Sequence, residues 1–349
     1  MLYIHIPFCD SKCFYCAFHS YTDRWHLMND YMQALLKQFC FEIQRFDLKP
    51  QTLSSVFIGG GTPSCVPVSL YAPLFELISP YLAPDAEITT EANPNSATRT
   101  WIAGMQQLGV NRISFGVQSF DDAKLKFLGR AHNAQQALIA IEEAADLGIK
   151  HLSLDLIYGC HTDTKEQLSK DLSQAFQLPI DHLSCYALTL EKGTPFAKKT
   201  ELLGDDETHG KIISEMTQKH GFEHYEISNF GTYRCRHNIG YWELKNYIGL
   251  GSGAVGFLSD QRFSPIKSPE KYIADPLTFT YEKLSSDDLI TEKVLLGLRS
   301  CVGFEPSILT KTQQQKLQFL IDEHKVQTRE GRIYNPDYFI ADEIALYLL

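Results

Sequence analysis

The sequence predicts an α/β fold built on a parallel sheet, on three observations. Six short apolar runs recur along the first two-thirds of the chain, stretches of helical apolar spacing separate them, and polar residues gather at the ends of the runs. The runs are "LYIHI" (Leu2–Ile6), "SVFIGGG" (Ser55–Gly61), "EITTEAN" (Glu87–Asn93), "RISFGVQ" (Arg112–Gln118), "LSLDLIYG" (Leu152–Gly159) and "LSCYALTL" (Leu183–Leu190). Each has the length of a buried strand. Between them, Tyr31–Phe46, Leu70–Leu82, Ala134–Leu147 and Glu166–Phe176 carry apolar residues at helical intervals. Strand–helix alternation of this kind implies right-handed crossovers and parallel pairing. The pattern leaves open whether the sheet stays flat or curls into a full or partial barrel. In either form, function collects at the carboxyl ends of the strands. Gly59–Thr62, Glu91, Gln118 and Asp155 lie in or just after the end halves of four separate runs. A buried polar side chain without a partner costs roughly 2–7 kcal/mol, so a ring of them at one mouth implies a polar ligand.

Beyond about residue 225 the regularity breaks into a Gly- and aromatic-rich segment, Arg234–Gly256, and a Ser/Pro-rich stretch, Ser264–Leu277, that reads as connection rather than core. From Asp287 the pattern is helical again. It ends in two short strands about a Glu-Gly turn (Lys325–Asn335) and a last helix from Pro336 to Leu349, a small winged-helix-like unit. The chain therefore divides at 1–233, 234–285 and 286–349. Its 44% hydrophobic and 21% charged content is that of a globular protein. A formal net charge of −10 argues against a general nucleic-acid binder, which needs a basic face. No charged-then-apolar leader precedes "LYIHIPFC", and no apolar run has the length of a membrane span, so the expected location is the cytoplasm. Nine cysteines, an odd number, fit thiols kept reduced there. Six of them (Cys40, Cys65, Cys160, Cys185, Cys235 and Cys301) are scattered and read mostly as small buried residues.

The other three stand together in "CDSKCFYCAF", at Cys9, Cys13 and Cys16. Three thiolates from one tight loop converge on a metal centre in more than one way. A structural zinc ion wants a fourth ligand, which His5 or His19 would supply. A redox dithiol would use Cys13 and Cys16 and leave Cys9 idle. A cubane [4Fe–4S] cluster on three cysteines leaves one iron open for a small molecule.

The spacing C-x3-C-x2-C at the end of a first strand, with Tyr15 before the third cysteine, resembles the radical S-adenosylmethionine (SAM) superfamily. The resemblance narrows at "LYIHIPFC", "FIGGGTPS", "ITTEANP", "NRISFGVQSF" and "LGRAH". Together these are similar to the family of oxygen-independent coproporphyrinogen III oxidase and its shorter relatives, the HemW-type heme chaperones. The likeness runs over nearly the whole chain.

That resemblance implies a partial (βα)6 TIM-like barrel with a small C-terminal domain, and a [4Fe–4S] cluster on Cys9, Cys13 and Cys16. It places Tyr3 beside SAM, Gly60, Gly61 and Thr62 against its amino group, and Ala187 on the adenine side. Glu91, Gln118, Arg130 and Asp155 match further SAM contacts, with Arg130 suited to a carboxylate. An electron donor such as flavodoxin or ferredoxin is implied as a partner. No catalytic residue is assigned.

Within the family, the oxidase carries an amino-terminal extension and a further cysteine two positions past the third ligand. Here the chain starts at the strand and that position is Phe18, which favours the chaperone. "HNIGYW" (His237–Trp242) matches the HNxxYW motif associated with heme binding, making His237 a heme ligand and Cys235 a possible second one. Delivery of heme to an apo-protein of respiration is the implied task, with a peripheral membrane partner. The alternative is radical oxidative decarboxylation of coproporphyrinogen III. Two departures stand out: "GCHTDT" (Gly159–Thr164) replaces a Gly-Leu-Pro-type turn, and Gly253-Ala254-Val255 replaces Gly-Ala-His.

Overall fold

Nine strands form the central sheet of the computed structural model, which describes residues 1–349. Six of them, β1 (Leu2–Ile6), β2 (Leu53–Gly60), β3 (Leu82–Ala92), β4 (Arg112–Gln118), β5 (His151–Tyr158) and β6 (His182–Ala187), lie side by side in chain order, each parallel to its neighbours. The crossovers are α1 (Met28–Arg45), α2 (Val68–Ile78), α3 (Arg99–Gln107), α4 (Asp122–Leu128) with α5 (Ala134–Asp146), and α6 (Lys165–Ala175). After α7 (Asp206–Lys219), the antiparallel hairpin β7 (Glu223–Glu226) and β8 (Asn229–Gly231) extends the sheet past β6. A short helix, α8 (Arg236–Trp242), then leads to β9 (Ile248–Leu250), which pairs with the other edge at β1. Because β1 and β6 do not pair, the barrel stays open.

The six strands alternate apart from irregularities near Ser55 and Gln118, and this sets the architecture. One face presents Leu2, Ile4, Val56, Ile58, Ile113, Phe115, Leu152 and Leu154 to the helices, inside a core of 48 buried residues. The opposite face carries Tyr3, His5, Ser55, Glu87, Thr89, Glu91, Arg112, Ser114, Ser153, Asp155, His182 and Ser184, most of them also buried. The loop after β1 is hydrogen-bonded to the loop after β4 (Phe14 N–H to Leu128 C=O, 3.1 Å) and to the loop after β6 (Phe196 N–H to Phe14 C=O, 3.1 Å). In a flat sheet those strands would stand roughly 14 and 24 Å from β1. The sheet is therefore curled, with its polar face on the concave side.

A second, antiparallel sheet joins β10 (Gly256–Leu258), β11 (Gln261–Pro265) and β12 (Phe279–Lys283), with α9 (Pro269–Ala274) between the last two. The stretch read as mere connection thus holds a helix. Pro269 sits at its first turn, where a missing N–H costs nothing, and Tyr272 is fully buried in the main core, its hydroxyl donating to Gln38 Oε1 at 2.8 Å. The carboxyl-terminal part comprises α10 (Ser286–Leu298), α11 (Lys311–Asp322), a hairpin of β13 (Gln327–Arg329) and β14 (Arg332–Tyr334), and α12 (Ala341–Leu348), around its own cluster of 12 buried residues. The hairpin turn is Glu330-Gly331, both at positive φ (50° and 76°), as a two-residue primed turn requires. The last helix starts at Ala341 instead of Pro336, because Asp337 caps a short turn by accepting from the Phe339 N–H. No helix is long and apolar enough to cross a membrane.

Candidate functional site

The three-cysteine loop leaves β1 and is tied down along its length. Phe8 bridges to Tyr21, the Cys9 N–H donates to Tyr21 C=O (3.1 Å) and the Tyr21 N–H to Pro7 C=O (2.7 Å). The Lys12 ammonium closes the far side by donating to Phe18 C=O (2.5 Å) and Ser20 Oγ (2.7 Å). Cys9 and Cys13 are buried and Cys16 is half-buried, its thiol pushed up by burial against the opposing pull of a hydrogen bond and of Lys12. The fourth ligand that a zinc site would draw from His5 is engaged elsewhere. His5 Nε2 meets His19 C=O at 2.8 Å, so that nitrogen carries the proton and Nδ1 accepts from the Tyr3 hydroxyl at 3.0 Å. The imidazole is thereby engaged at both ends, and burial lowers it to about 4.

The glycines of β2 meet this loop at close quarters. Gly60 has φ of +111°, and a Cβ there would fall on the His5 ring. At Gly61 a Cβ would lie 2.7 Å from the carbonyls of Ile6 and Phe8 and 3.1 Å from Cys9 Sγ. Only glycine permits this approach. Thr62 donates to Cys9 Sγ (3.4 Å) and accepts from Asn93 Nδ2 (3.2 Å). Arg130 forks across the mouth: Nη1 reaches Cys13 Sγ (3.2 Å) and Tyr15 Oη (3.5 Å), Nη2 reaches Asn93 Oδ1 and Gly116 C=O (both 2.6 Å). Its Nε is buried without a partner. Gln118, the last residue of β4, holds a φ of +71°, which a non-glycine residue adopts only where its surroundings impose it.

Two carboxylates face this mouth from the concave side. Glu91 accepts from the Gly60 N–H (3.0 Å) and is raised to about 7 by burial and then by Asp155. Asp155, bonded by Ser114 Oγ at 3.3 Å, is raised by burial to about 6. Tyr3, also inward-facing, is raised well above the usual phenol range by burial and by Glu91. The structure thus brings Gly60, Gly61, Thr62, Glu91, Gln118, Arg130 and Asp155 to the mouth with Cys9, Cys13 and Cys16, while Tyr3 stands deeper on the concave face, level with Phe57 and bonded to His5. Ala187 ends β6, paired in register with Tyr158. Asn93 belongs to this cluster and was not picked out by spacing. Its signal is the turn "ANPN" at the end of a strand bearing Glu91.

His237 lies at the other end. Helix α8 forms the floor beneath the amino-terminal halves of β2 and β3, with His237 wholly buried. Its Nδ1 pairs with Ser55 Oγ at 2.8 Å, its ring packs against Phe57 (centroids 5.3 Å) and Tyr241 (4.7 Å), and Nε2 has no partner. Burial lowers it to about 3. Cys235 is equally buried and turns its sulfur to Glu87 (3.5 Å). Val255 is exposed.

Comparison with known proteins follows the same lines. The Radical SAM superfamily model matches residues 3–175. The chain is 33% identical over its whole length to the heme chaperone HemW of Mycobacterium tuberculosis, covering 94% of that protein. It is 40% identical to HemW of Escherichia coli over 73% of this chain and 69% of that one. The chain belongs to the HemW family. In fold it matches the Escherichia coli coproporphyrinogen III oxidase HemN, a radical SAM enzyme, with a TM-score of 0.82 at 20% identity over 99% of this chain and 89% of that one. The HemW family and the oxidase thus share one architecture, a partial radical SAM barrel, and differ in what they do with it.

Proposed function

We propose that this protein binds heme and delivers it to an apo-heme protein, and that it does so on a radical SAM scaffold holding a [4Fe–4S] cluster and SAM. The observation that carries this reading is the full-length similarity to HemW heme chaperones. The residues fit the cofactors. Three thiols stand on one pinned loop, the Arg130 guanidinium and Lys12 ammonium lie close enough to offset thiolate charge, and Gly61 leaves a cradle that a Cβ would fill. Bound there, the cluster supplies one electron and an open iron for SAM. The chain's own groups do the rest: Glu91 and Asp155 suit the ribose hydroxyls and sulfonium, Arg130 the carboxylate, Gly60 and Gly61 the amino group, Gln118 and Tyr3 the flanks, and Ala187 the adenine side. His237 is the heme ligand in this reading. A flavodoxin- or ferredoxin-type donor would reduce the cluster, an apo-protein of respiration at a membrane would receive the heme, and the site of action is the cytoplasm.

The shared fold keeps the oxidase reading in view, so one experiment addresses both. Anaerobically reconstituted protein is given reductant, SAM and coproporphyrinogen III, while a parallel sample is titrated with heme at the Soret band. The expected result is saturable heme binding, weakened at least tenfold by His237→Ala, and no porphyrinogen turnover. Multiple turnovers to protoporphyrinogen would overturn it and make the protein an oxidase despite Phe18.

A further inference from the structure

A histidine with no exposed atom cannot meet a porphyrin iron, and His237 has none. What buries it is specific. The carboxylate of Glu87, on the concave face in the middle of β3, accepts the backbone N–H groups of Arg236 (2.8 Å) and His237 (3.0 Å) and the hydroxyl of Tyr233 (2.7 Å). Three donors from five consecutive residues thus end on one side chain some 150 residues away in sequence. The Arg236 guanidinium adds an exposed pair with Asp85 (2.8 Å), and at Gly240 a Cβ would fall on the Met1 side chain, so α8 sits hard against β1. On its outer side α8 is not packed solid: Ile239 and Trp242 border a groove of ≈ 610 Å³ whose opposite wall is Phe304, Ile308 and Tyr334 of the carboxyl-terminal unit. The helix has a tight inner seat and an open flank.

From this we infer that α8 is a latch, that heme reaches His237 only when the helix lifts from the barrel floor toward the groove, and that Glu87 is the positioning residue that holds it shut. The inference rests on the reading of His237 as heme ligand. It explains the unpartnered Nε2, which the closed helix keeps free of both solvent and protein donors. In the closed form the ligand is stored; opening presents it. Apparent affinity and association rate for heme then scale with the open fraction.

The test is made on full-length, anaerobically reconstituted protein with hemin as probe. Tyr233→Phe removes one donor to Glu87, Arg236→Ala removes the surface pair, and Glu87→Gln weakens the whole seat. Because Glu87→Gln removes a buried carboxylate whose charge acts on the buried Arg112 guanidinium and risks misfolding, the first two keep the test secure. Hydrogen–deuterium exchange over 233–243 reports opening, and stopped-flow absorbance at the Soret band reports heme association. A hydrogen bond to a charged acceptor contributes about 1.5–3 kcal/mol, so Tyr233→Phe should speed both exchange and heme association by about tenfold or more, and the gain should vanish in a His237→Ala background. A part that merely supported the fold would slow or weaken binding when damaged. Faster exchange with unchanged heme association would overturn the latch, as would exchange that none of the three substitutions alters. Wild-type heme binding indifferent to His237→Ala would instead sink the heme-ligand reading itself.

Discussion

Replacing Glu91 by glutamine should stabilise the protein above pH 7 while weakening its hold on SAM. Burial, and then the charge of Asp155, raise this carboxyl from 4.5 to about 7 in the folded state. Between those values the folded chain keeps a proton that the unfolded chain has released, so stability falls as pH rises through the window and is undiminished below 4.5. At about 1.4 kcal/mol per pH unit the loss amounts to about 3 kcal/mol by pH 8. Glutamine cannot ionise, and its amide oxygen can still accept the Gly60 N–H. The variant should therefore gain up to about 3 kcal/mol at pH 8 and almost nothing at pH 4.5. Urea unfolding of reduced protein at the two pH values, wild type against variant, measures the difference directly. A gain of equal size at both, or a loss at pH 8, would refute the argument that the mouth stores electrostatic strain. Equilibrium dialysis with SAM should show weaker binding by the same variant.

Three further outcomes follow from named contacts. Gly60→Ala forces a side chain onto the His5 ring at a φ of +111°; a cost of about 1–3 kcal/mol for the backbone alone should appear as a lower melting temperature, with SAM affinity lost as well. Lys124 and Asp163 form a buried pair at 2.7 Å that organises the turn after β5. Lys124→Met alone should cost about 3–5 kcal/mol in urea unfolding, and Lys124→Met with Asp163→Leu should recover most of it. Arg130→Lys keeps the charge but loses the fork to Cys13, Asn93 and Gly116, so SAM affinity should fall about tenfold or more while iron content after reconstitution changes less.

The strands that build the barrel were legible because each is a run of five or more residues with a period. Leu2–Ile6 and Arg112–Gln118 coincide with β1 and β4 to the residue, and the other four differ only at their ends. β7, β8 and β9 have three or four residues each and too little length for a period to show. The mouth was legible through its glycines and strand-end polar groups. The polar concave face was not, although its signal is present: "EITTEA" and "RISFGVQ" place a polar or small residue at nearly every second position, while reading them as strands buried on both faces hides the alternation. Pairings such as His182 with Ser153 (2.7 Å) and Tyr225 (2.5 Å) are what make that face affordable, and they join residues 29 and 43 positions apart. The burial of His237 was illegible for the same reason. "HNIGYW" reads alike on a surface and on a floor, and the partners that decide between them, Ser55 and Glu87, are 182 and 150 residues distant.

Those two ends of the barrel are joined by one strand. Glu91 and Glu87 lie four residues apart on the same face of β3, so their Cα atoms stand about 13 Å apart along a strand paired on both sides. The first fixes the glycine loop at the mouth and the second fixes α8 at the floor. On the reading proposed above, SAM belongs with Glu91 and heme with Glu87, so the two would engage different parts of one strand, and a substitution at either carboxylate should change one binding event more than the other.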